Sequence, residues 1–210
     1  MPTKTLIAFG TVALLTAHLG RARQTFTFTV PATSNVFAAG QTSAFSGTLP
    51  PYVSFAAGSV EAITVEAVGK VTLGAGEPYS GPHGIAFYDG TNLSSINGIS
   101  GLIDADLGFF LTGVFLDNSA PSGAGPSILD FTGKEDFTDL HPIVAQSFYV
   151  GNGFTGTTAQ LFIPPARATR LFLGIADGCV LDGGGPPGCY LDNVGDFLVS
   201  VTLHPATAAK

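Results

Sequence analysis

The sequence predicts an all-β protein, folded as an antiparallel β-sandwich or jelly roll. Only 11% of its residues are charged, so few side chains are available to cover the solvent faces of helices. Several short segments are rich in Thr, Val, Ile and Phe, and Gly, Pro, Asn and Asp separate them. Strands joined by turns in this way, with no clear helical period between them, are typical of sandwiches and jelly rolls.

The segment 24–33, QTFTFTVPAT, shows the strand pattern most clearly. Apolar residues alternate with threonines, which predicts a strand with one buried face. The apolar members are Phe26, Phe28 and Val30, and the polar members are Thr25, Thr27 and Thr29. Further strands are predicted at 59–73, 108–116, 146–151, 159–165, 169–176 and 196–203. The acidic segment 131–146 could form one short helix, and the segments 74–107 and 117–130 are predicted to be loops.

The charge balance narrows the classes of partner. A formal net charge of −7 argues against nucleic acid, because that partner needs a basic surface to displace its counterions. An acidic chain instead suits a cation, or a neutral partner such as a carbohydrate. The sequence has no G-x-S-x-G motif, no H-E-x-x-H motif and no free thiol paired with a histidine. We therefore expect a binding or structural protein and not an enzyme.

The N-terminus has the pattern of a secretory signal peptide. A short positive start at 1–4 precedes the apolar run 5–20, and Gly20-Arg21-Ala22 suits a cleavage site. The alternative, a membrane anchor, is disfavoured because the run is short for a membrane span. We expect a signal peptide over 1–22 and a single secreted β-sandwich domain over 23–210, with no stable membrane span after processing.

The loop GIADGCVLDGGGPPGCYLDNVGDF, residues 174–197, gathers oxygen ligands between two predicted strands. The carboxylates of Asp177 and Asp192 would repel each other if the loop brought them together without a cation. Calcium takes six to eight oxygen ligands, and carboxylates, amide oxygens and backbone carbonyls suit it. The sequence therefore predicts a calcium site here. The alternative is ordinary turn chemistry, in which Asp and Asn cap backbone N–H groups.

The only two cysteines, Cys179 and Cys189, lie on either side of the glycine- and proline-rich part of this loop. In an exported protein a disulfide between them is the expected state. A structural zinc site is disfavoured, because no histidine lies near the two thiols.

The stretch GIADG…GPPGCYLDNVGDFLVSV resembles the calcium loop of the small calcium-dependent, galactose-specific bacterial lectins. In that family an Asp, a Pro-Gly-x-Tyr-x-x-Asn pattern and a following strand hold one calcium ion, and sugar hydroxyls complete its shell. The resemblance implies side-chain ligands from Asp177, Asp192 and Asn193 and backbone carbonyl ligands from Cys189 and Leu73. It also implies a galactose-binding lectin-like fold. The loop between Asp177 and Pro187 is longer here than in the lectins.

The same resemblance implies sugar contacts. Ring stacking would come from Tyr190 or Tyr79, and the segment 79–92 offers His83 and Asp89 where the lectins place polar sugar contacts. The segments 126–133 and 141–178 also resemble a group of exported bacterial proteins that share the calcium loop and often end in a PEP-CTERM sorting tail. This second resemblance implies an extracellular, bacterial protein.

Two other acidic segments are candidate cation sites. The segment DADLG, 104–108, is similar to part of a calcium loop but lacks the remaining EF-hand ligands, so a turn is the better interpretation. Asp130, Glu135, Asp136 and Asp139 indicate a solvated acidic face, with a second cation as the alternative.

Two functions remain open from the sequence. One is a secreted, calcium-dependent carbohydrate-binding protein. The other is an extracellular structural protein that assembles into oligomers or filaments when its N-terminal strand joins a neighbour's sheet, with calcium only stiffening the fold.

Overall fold

The computed structural model describes residues 22–88, 90–180 and 184–207. These residues are all-β, with two short 3-10 helices, Val36–Ala38 and Ala86–Tyr88. The strands, in chain order, are β1 Gln24–Pro31, β2 Tyr52–Ser54, β3 Val60–Thr72, β4 Thr91–Leu93, β5 Leu102–Asp104, β6 Leu111–Leu116, β7 Leu129–Asp130, β8 Asp139–Leu140, β9 Ser147–Tyr149, β10 Phe154–Thr155, β11 Thr158–Ala159, β12 Leu161–Phe162, β13 Arg170–Ile175 and β14 Val194–Pro205. The predicted signal peptide, apart from its last residue, lies outside the described residues.

The larger sheet has the strand order β1-β14-β3-β12-β8. The long strands β3 and β14 pair antiparallel from Thr72 opposite Val194 to Val60 opposite Pro205. Their inward side chains form much of the core, because side chains alternate between the two faces of a strand. The inward members include Ile63, Val65, Ala67, Phe197, Val199, Val201 and Leu203.

The second sheet has the strand order β2-β13-β6-β9, and all its pairs are antiparallel. Its central strands β6 and β13 are buried along nearly their whole length. This explains why LTGVFL and RLFLGI read as continuous apolar runs without alternation.

The two sheets pack face to face around one hydrophobic core. Phe148 on β9 stacks on Phe162 on β12, with ring centroids 5.5 Å apart, and also on Phe115 on β6, at 5.3 Å. Rings from both sheets thus meet at the centre of the molecule. The predicted antiparallel β-sandwich is confirmed.

The strand β1 differs in burial from its predicted pattern. It pairs with β14 along its full length and lies at the edge of the larger sheet. Only Val30 is fully buried, while Phe28 is half-buried and Phe26 is 39% exposed. The alternation therefore identified the strand, but the second sheet covers only its C-terminal end.

The expected helix within 131–146 is absent. Phe131 and Phe137 both point to the core and contact each other at 6.1 Å, a spacing of six residues that places them on different faces of a helix. The side-chain amide of Gln160 donates to the carbonyl oxygens of Glu135 and Phe137 (2.6 and 3.1 Å). These carbonyls therefore need no helical partners.

The predicted loops 74–107 and 117–130 also contain regular structure. They contribute β4, β5 and β7, which form a small sheet of order β4-β5-β7. These strands have two or three residues each, which is too short for alternation to reveal. None of the helices in the described ranges has the length and apolar composition needed to cross a membrane.

Replacing Phe148 by alanine should lower the free energy of unfolding by about 3–5 kcal/mol, because the variant leaves a cavity between the two sheets. Urea unfolding followed by circular dichroism measures the change. Phe45→Ala is the matched control, because Phe45 is exposed, and it should change the free energy of unfolding by less than about 0.5 kcal/mol. Equal losses in the two variants would contradict the description of the core.

Candidate functional site

The candidate site lies where the two sheets meet at one end of the sandwich. Asp177 follows β13, the central strand of the smaller sheet, and Asn193 directly precedes β14 of the larger sheet. The loop between them returns the chain from one sheet to the other. Both side chains are therefore held by rigid strands, although they belong to a loop.

Asp177 and Asn193 contact each other in a buried position. Asp177 is 5% exposed and Asn193 is 6% exposed. The Asn193 side-chain amide donates to Asp177 Oδ2 (2.8 Å) and to the carbonyl oxygen of Ala32 (3.1 Å). Asp177 Oδ1 accepts from the backbone N–H of Gly178 (2.7 Å).

The remaining oxygen of this pair, Asn193 Oδ1, is buried and has no hydrogen-bond partner. A buried acceptor without a donor costs about 1–3 kcal/mol. Such an oxygen beside a carboxylate is what a cation ligand set requires. Asp177 and Asn193 thus place a buried carboxylate next to a buried amide oxygen without a donor, and their role as calcium ligands stays a prediction.

Burial also raises the pKa of Asp177 to about 7. The hydrogen bonds from Asn193 and Gly178 oppose this rise, and the negative charge of Asp192 adds to it. Asp192 is exposed, so it brings a solvent-accessible carboxylate close to the buried one. This local field favours a positive charge, which a cation would supply.

Tyr190 positions the backbone of this site. Its hydroxyl donates to the carbonyl oxygen of Ile175 (2.8 Å) and accepts from the N–H of Asp177 (3.2 Å). Its own N–H donates to Ser46 Oγ (3.1 Å). The ring is 0% exposed, so it has no free face for a sugar. The structure thus gives Tyr190 a supporting role in place of the expected stacking.

The predicted disulfide between Cys179 and Cys189 is confirmed. Next to the disulfide, the N–H of Gly188 donates to the carbonyl oxygen of Asp177 (3.1 Å). Cys189 has a left-handed backbone (φ 61°), which non-glycine residues rarely adopt. The bridge holds this turn immediately before Tyr190.

Leu73 lies on the same side of the molecule as the pair. It follows β3, whose last residue, Thr72, pairs with Val194 next to Asn193. Leu73, Asp177 and Gly178 line one small cavity of about 20 Å³, which is room for roughly one water molecule or ion. The carbonyls of Leu73 and Cys189 as ligands stay predictions.

The small sheet closes this cavity from another direction. Thr91, Asn92 and Leu93 of β4 line it as well. The backbone of Gly185 in the disulfide loop donates to the Asn92 carbonyl (3.2 Å) and accepts from the N–H of Ser94 (2.8 Å). The loop is therefore fixed to β4 as well as closed by the disulfide.

The expected sugar contacts are placed differently. His83 is exposed, and its carbonyl oxygen accepts from the Tyr149 hydroxyl on β9 (3.2 Å). Asp89 lies outside the described residues. Tyr79 is 57% exposed and precedes Ser80, which bridges to Val71 near the end of β3. Contacts from these residues to a sugar stay predictions.

Sequence reasoning missed one acidic group. Asp104, Asp106 and Glu135 come together and could hold a metal ion, although the sequence favours a turn for 104–108 and a solvated face for Glu135. Asp130, Asp136 and Asp139 are exposed, as predicted. The only signal for the group was the density of carboxylates in the two segments, because their contact depends on the tertiary fold.

In a chelator, the free energy of unfolding should fall as the pH rises from about 4 to 7. In the unfolded chain Asp177 ionises at its ordinary pKa of 3.8, whereas in the folded chain it keeps its proton until the pH reaches its raised pKa of about 7. The stability that Asp177 contributes is therefore fully present below the pKa of the unfolded state and is lost above the pKa of the folded state. In Asp177→Asn, the fall in the free energy of unfolding over this pH range should be smaller than in the wild type by roughly 2–4 kcal/mol. Urea unfolding measured across the range checks this. An unchanged pH dependence in the variant would contradict the assignment.

Tyr190→Phe should lower the free energy of unfolding by about 1–3 kcal/mol, because it removes the hydroxyl shared by Ile175 and Asp177. Thermal unfolding monitored by circular dichroism measures the loss. Tyr52→Phe is the control, because Tyr52 is exposed and should change little. A neutral Tyr190→Phe variant would show that the hydroxyl does not support the site.

Neither a protein-family model nor a curated protein sequence matches this chain. Among solved structures, it is similar to one described as "EclA N-terminal domain; PllA-like lectin". That match has a TM-score of 0.40 and 21% sequence identity, and it covers 85% of this chain and 95% of the other. A similarity at this level assigns neither a family nor a function to this chain.

Proposed function

We propose that this protein is a secreted, calcium-binding β-sandwich that binds carbohydrate through a loop-held calcium ion. The observation that carries the proposal is the buried, unpartnered Asn193 Oδ1 beside the buried carboxylate of Asp177. The side chains of Asp177, Asp192 and Asn193 would hold the ion, together with the carbonyls of Cys189 and Leu73. A bound calcium ion would neutralise the carboxylates and bind sugar hydroxyls directly.

The chemistry of these groups favours calcium over a softer metal. All the proposed ligand atoms are oxygens, which hard cations prefer. The two cysteines are joined in a disulfide, so neither offers a thiolate ligand. The proposed ligands lie at the end of a strand and in a loop closed by a disulfide. Such rigid supports suit a site that must keep its shape when one bound sugar replaces another.

The arrangement of exposed residues supports a ligand in solution. Asp192 and Cys189 are exposed beside the buried pair, so the proposed ion would have one side facing solvent. Sugar hydroxyls are neutral and can replace water on such an ion. Tyr79 offers an exposed ring for stacking, and His83 and Asp89 remain candidates for polar contacts. Galactose-like sugars are proposed from the resemblance of the loop.

The same proposal covers the location. A bacterial chain exported by the leader 1–22 would leave a single domain over 23–210 outside the cell. The disulfide supports this location, because such bonds persist in oxidising compartments. The protein would act by binding, without catalysis.

A second candidate function is self-assembly, favoured by the edge strand β1. Among the residues that the structure describes, this strand pairs with β14 on one side only, at the end of the larger sheet. Phe26 on this strand is 39% exposed. An open edge of this kind can accept a strand from a second copy. In this function calcium would only rigidify the sandwich.

Calcium titration calorimetry of the chelator-stripped protein, followed by a glycan screen in calcium and in EDTA, tests the first function. Asp177→Asn and Asn193→Ala should weaken calcium binding by roughly 10- to 100-fold or more, and glycan binding should vanish in EDTA. Asp196→Asn is the matched control, because this exposed residue lies on β14 just beyond the site.

Three results would decide between the functions. Glycan binding that persists in EDTA would contradict the role of the ion. Calcium binding without any glycan, together with large particles in light scattering, would favour self-assembly. No calcium binding in the wild-type protein would overturn both readings of the loop.

A further inference from the structure

A second group of carboxylates lies outside the Asp177 loop. Asp104 is the last residue of β5, Asp106 follows in the next turn, and Glu135 comes from the segment between β7 and β8. One carboxylate oxygen of each residue lies within 4.8 Å of the other two. The parallel pairing of β5 with β7 brings the two segments together.

The buried member of this group has an unused oxygen. Asp104 is 0% exposed. Its Oδ1 accepts from the backbone N–H groups of Asp106 and Leu107 (3.0 Å each), but its Oδ2 is buried without a hydrogen-bond partner. An ionised carboxylate in such a place is costly unless a positive charge or a donor faces it.

No salt bridge among the described residues supplies such a positive charge to Asp104. Burial and the neighbouring carboxylate of Glu135 both raise the pKa of Asp104, to about 7. The charges of Glu135, Asp104 and Asp136 also help to raise the pKa of the Tyr149 hydroxyl, after the larger effect of burial. The salt bridges within 22–88, 90–180 and 184–207 join Asp139 to His141 and Asp117 to Arg167, so neither reaches this group.

We propose that Asp104, Asp106 and Glu135 form a second divalent-cation site, of the calcium class. Two oxygens bound to the same calcium ion at about 2.4 Å can be at most about 4.8 Å apart, and these three oxygens meet that limit. Carboxylates are hard ligands, which suits calcium better than zinc or copper. The site uses no residue of the Asp177 loop and would exist whether or not that loop binds sugar.

The ion would have a structural role. Asp104 belongs to the small sheet, and Glu135 belongs to a segment whose carbonyl is held by Gln160 (2.6 Å). An ion between them would tie the small sheet, which also fixes the disulfide loop, to the body of the sandwich.

Metal stoichiometry by mass spectrometry, after equilibration with calcium and removal of free ion, tests the proposal. The wild-type protein should hold two calcium ions per chain. Asp104→Asn should hold one, because the amide keeps the size and the Oδ1 acceptor but removes the charge. Asp177→Asn should also hold one, and the double variant none. Asp130→Asn is the control, because this exposed carboxylate lies on β7 beside the group, and it should keep two ions.

The alternative is a proton shared between Asp104 and Glu135 in place of the ion. In that case Asp104→Asn would leave the stoichiometry unchanged, which would overturn the proposal. Glu135→Gln is the second variant, should Asp104→Asn fail to fold, because Glu135 is only half-buried; it should also hold one ion.

The two sites can fail separately. If Asp177→Asn holds one ion fewer than the wild type and Asp104→Asn does not, the second site is refuted and the proposed function stands. If Asp104→Asn holds one ion fewer than the wild type and Asp177→Asn does not, the second site is supported and the first is refuted.

Discussion

The antiparallel pairing of β3 with β14 is the constraint on which the rest of the structure depends. It supplies the inward row of apolar side chains on which the smaller sheet packs, and it carries β1 along its other edge. It also begins at the candidate site, since Thr72 pairs with Val194 and so brings Leu73 towards Asn193. A shift of one residue in this register would turn the core side chains outward and separate the site residues.

A shortage of basic residues shapes the chemistry of both acidic groups. The chain has eight Lys and Arg against fifteen Asp and Glu, and two carboxylates, Asp104 and Asp177, are buried at the ends of strands. Burial raises the pKa of each to about 7. With few cationic side chains available, such groups are stabilised by protons or by ions from solution.

The sequence was most informative where the signal was local. Alternation identified β1, β3 and β14, and apolar runs identified β6 and β13. Asp177, Asn193 and the cysteine pair could be predicted because they lie within one short loop between two strands. Their ligand roles remain predictions, but their proximity is a property of the structure.

Non-local features were out of reach of such reasoning. Asp104 and Glu135 meet only because β5 pairs with β7, and both strands are too short to show a pattern. Tyr190 is buried, and its hydrogen-bond partners Ile175 and Ser46 are ones that no local pattern identifies. The prediction of a short helix within 131–146 is wrong, because Phe131 and Phe137 pack on the core from an irregular segment.

The disulfide at the base of the site loop has a consequence for how this protein can change. Cys179 and Cys189 join the two arms of the loop close to Asp177 and Tyr190, so the bridge holds these two residues near each other. Changes between the cysteines that keep the Gly185 hydrogen bonds to β4 should leave the spacing of Asp177 and Asn193 unaltered. That segment is therefore a natural insertion point, where evolution or an engineer can graft a new recognition loop beside an unchanged ion site.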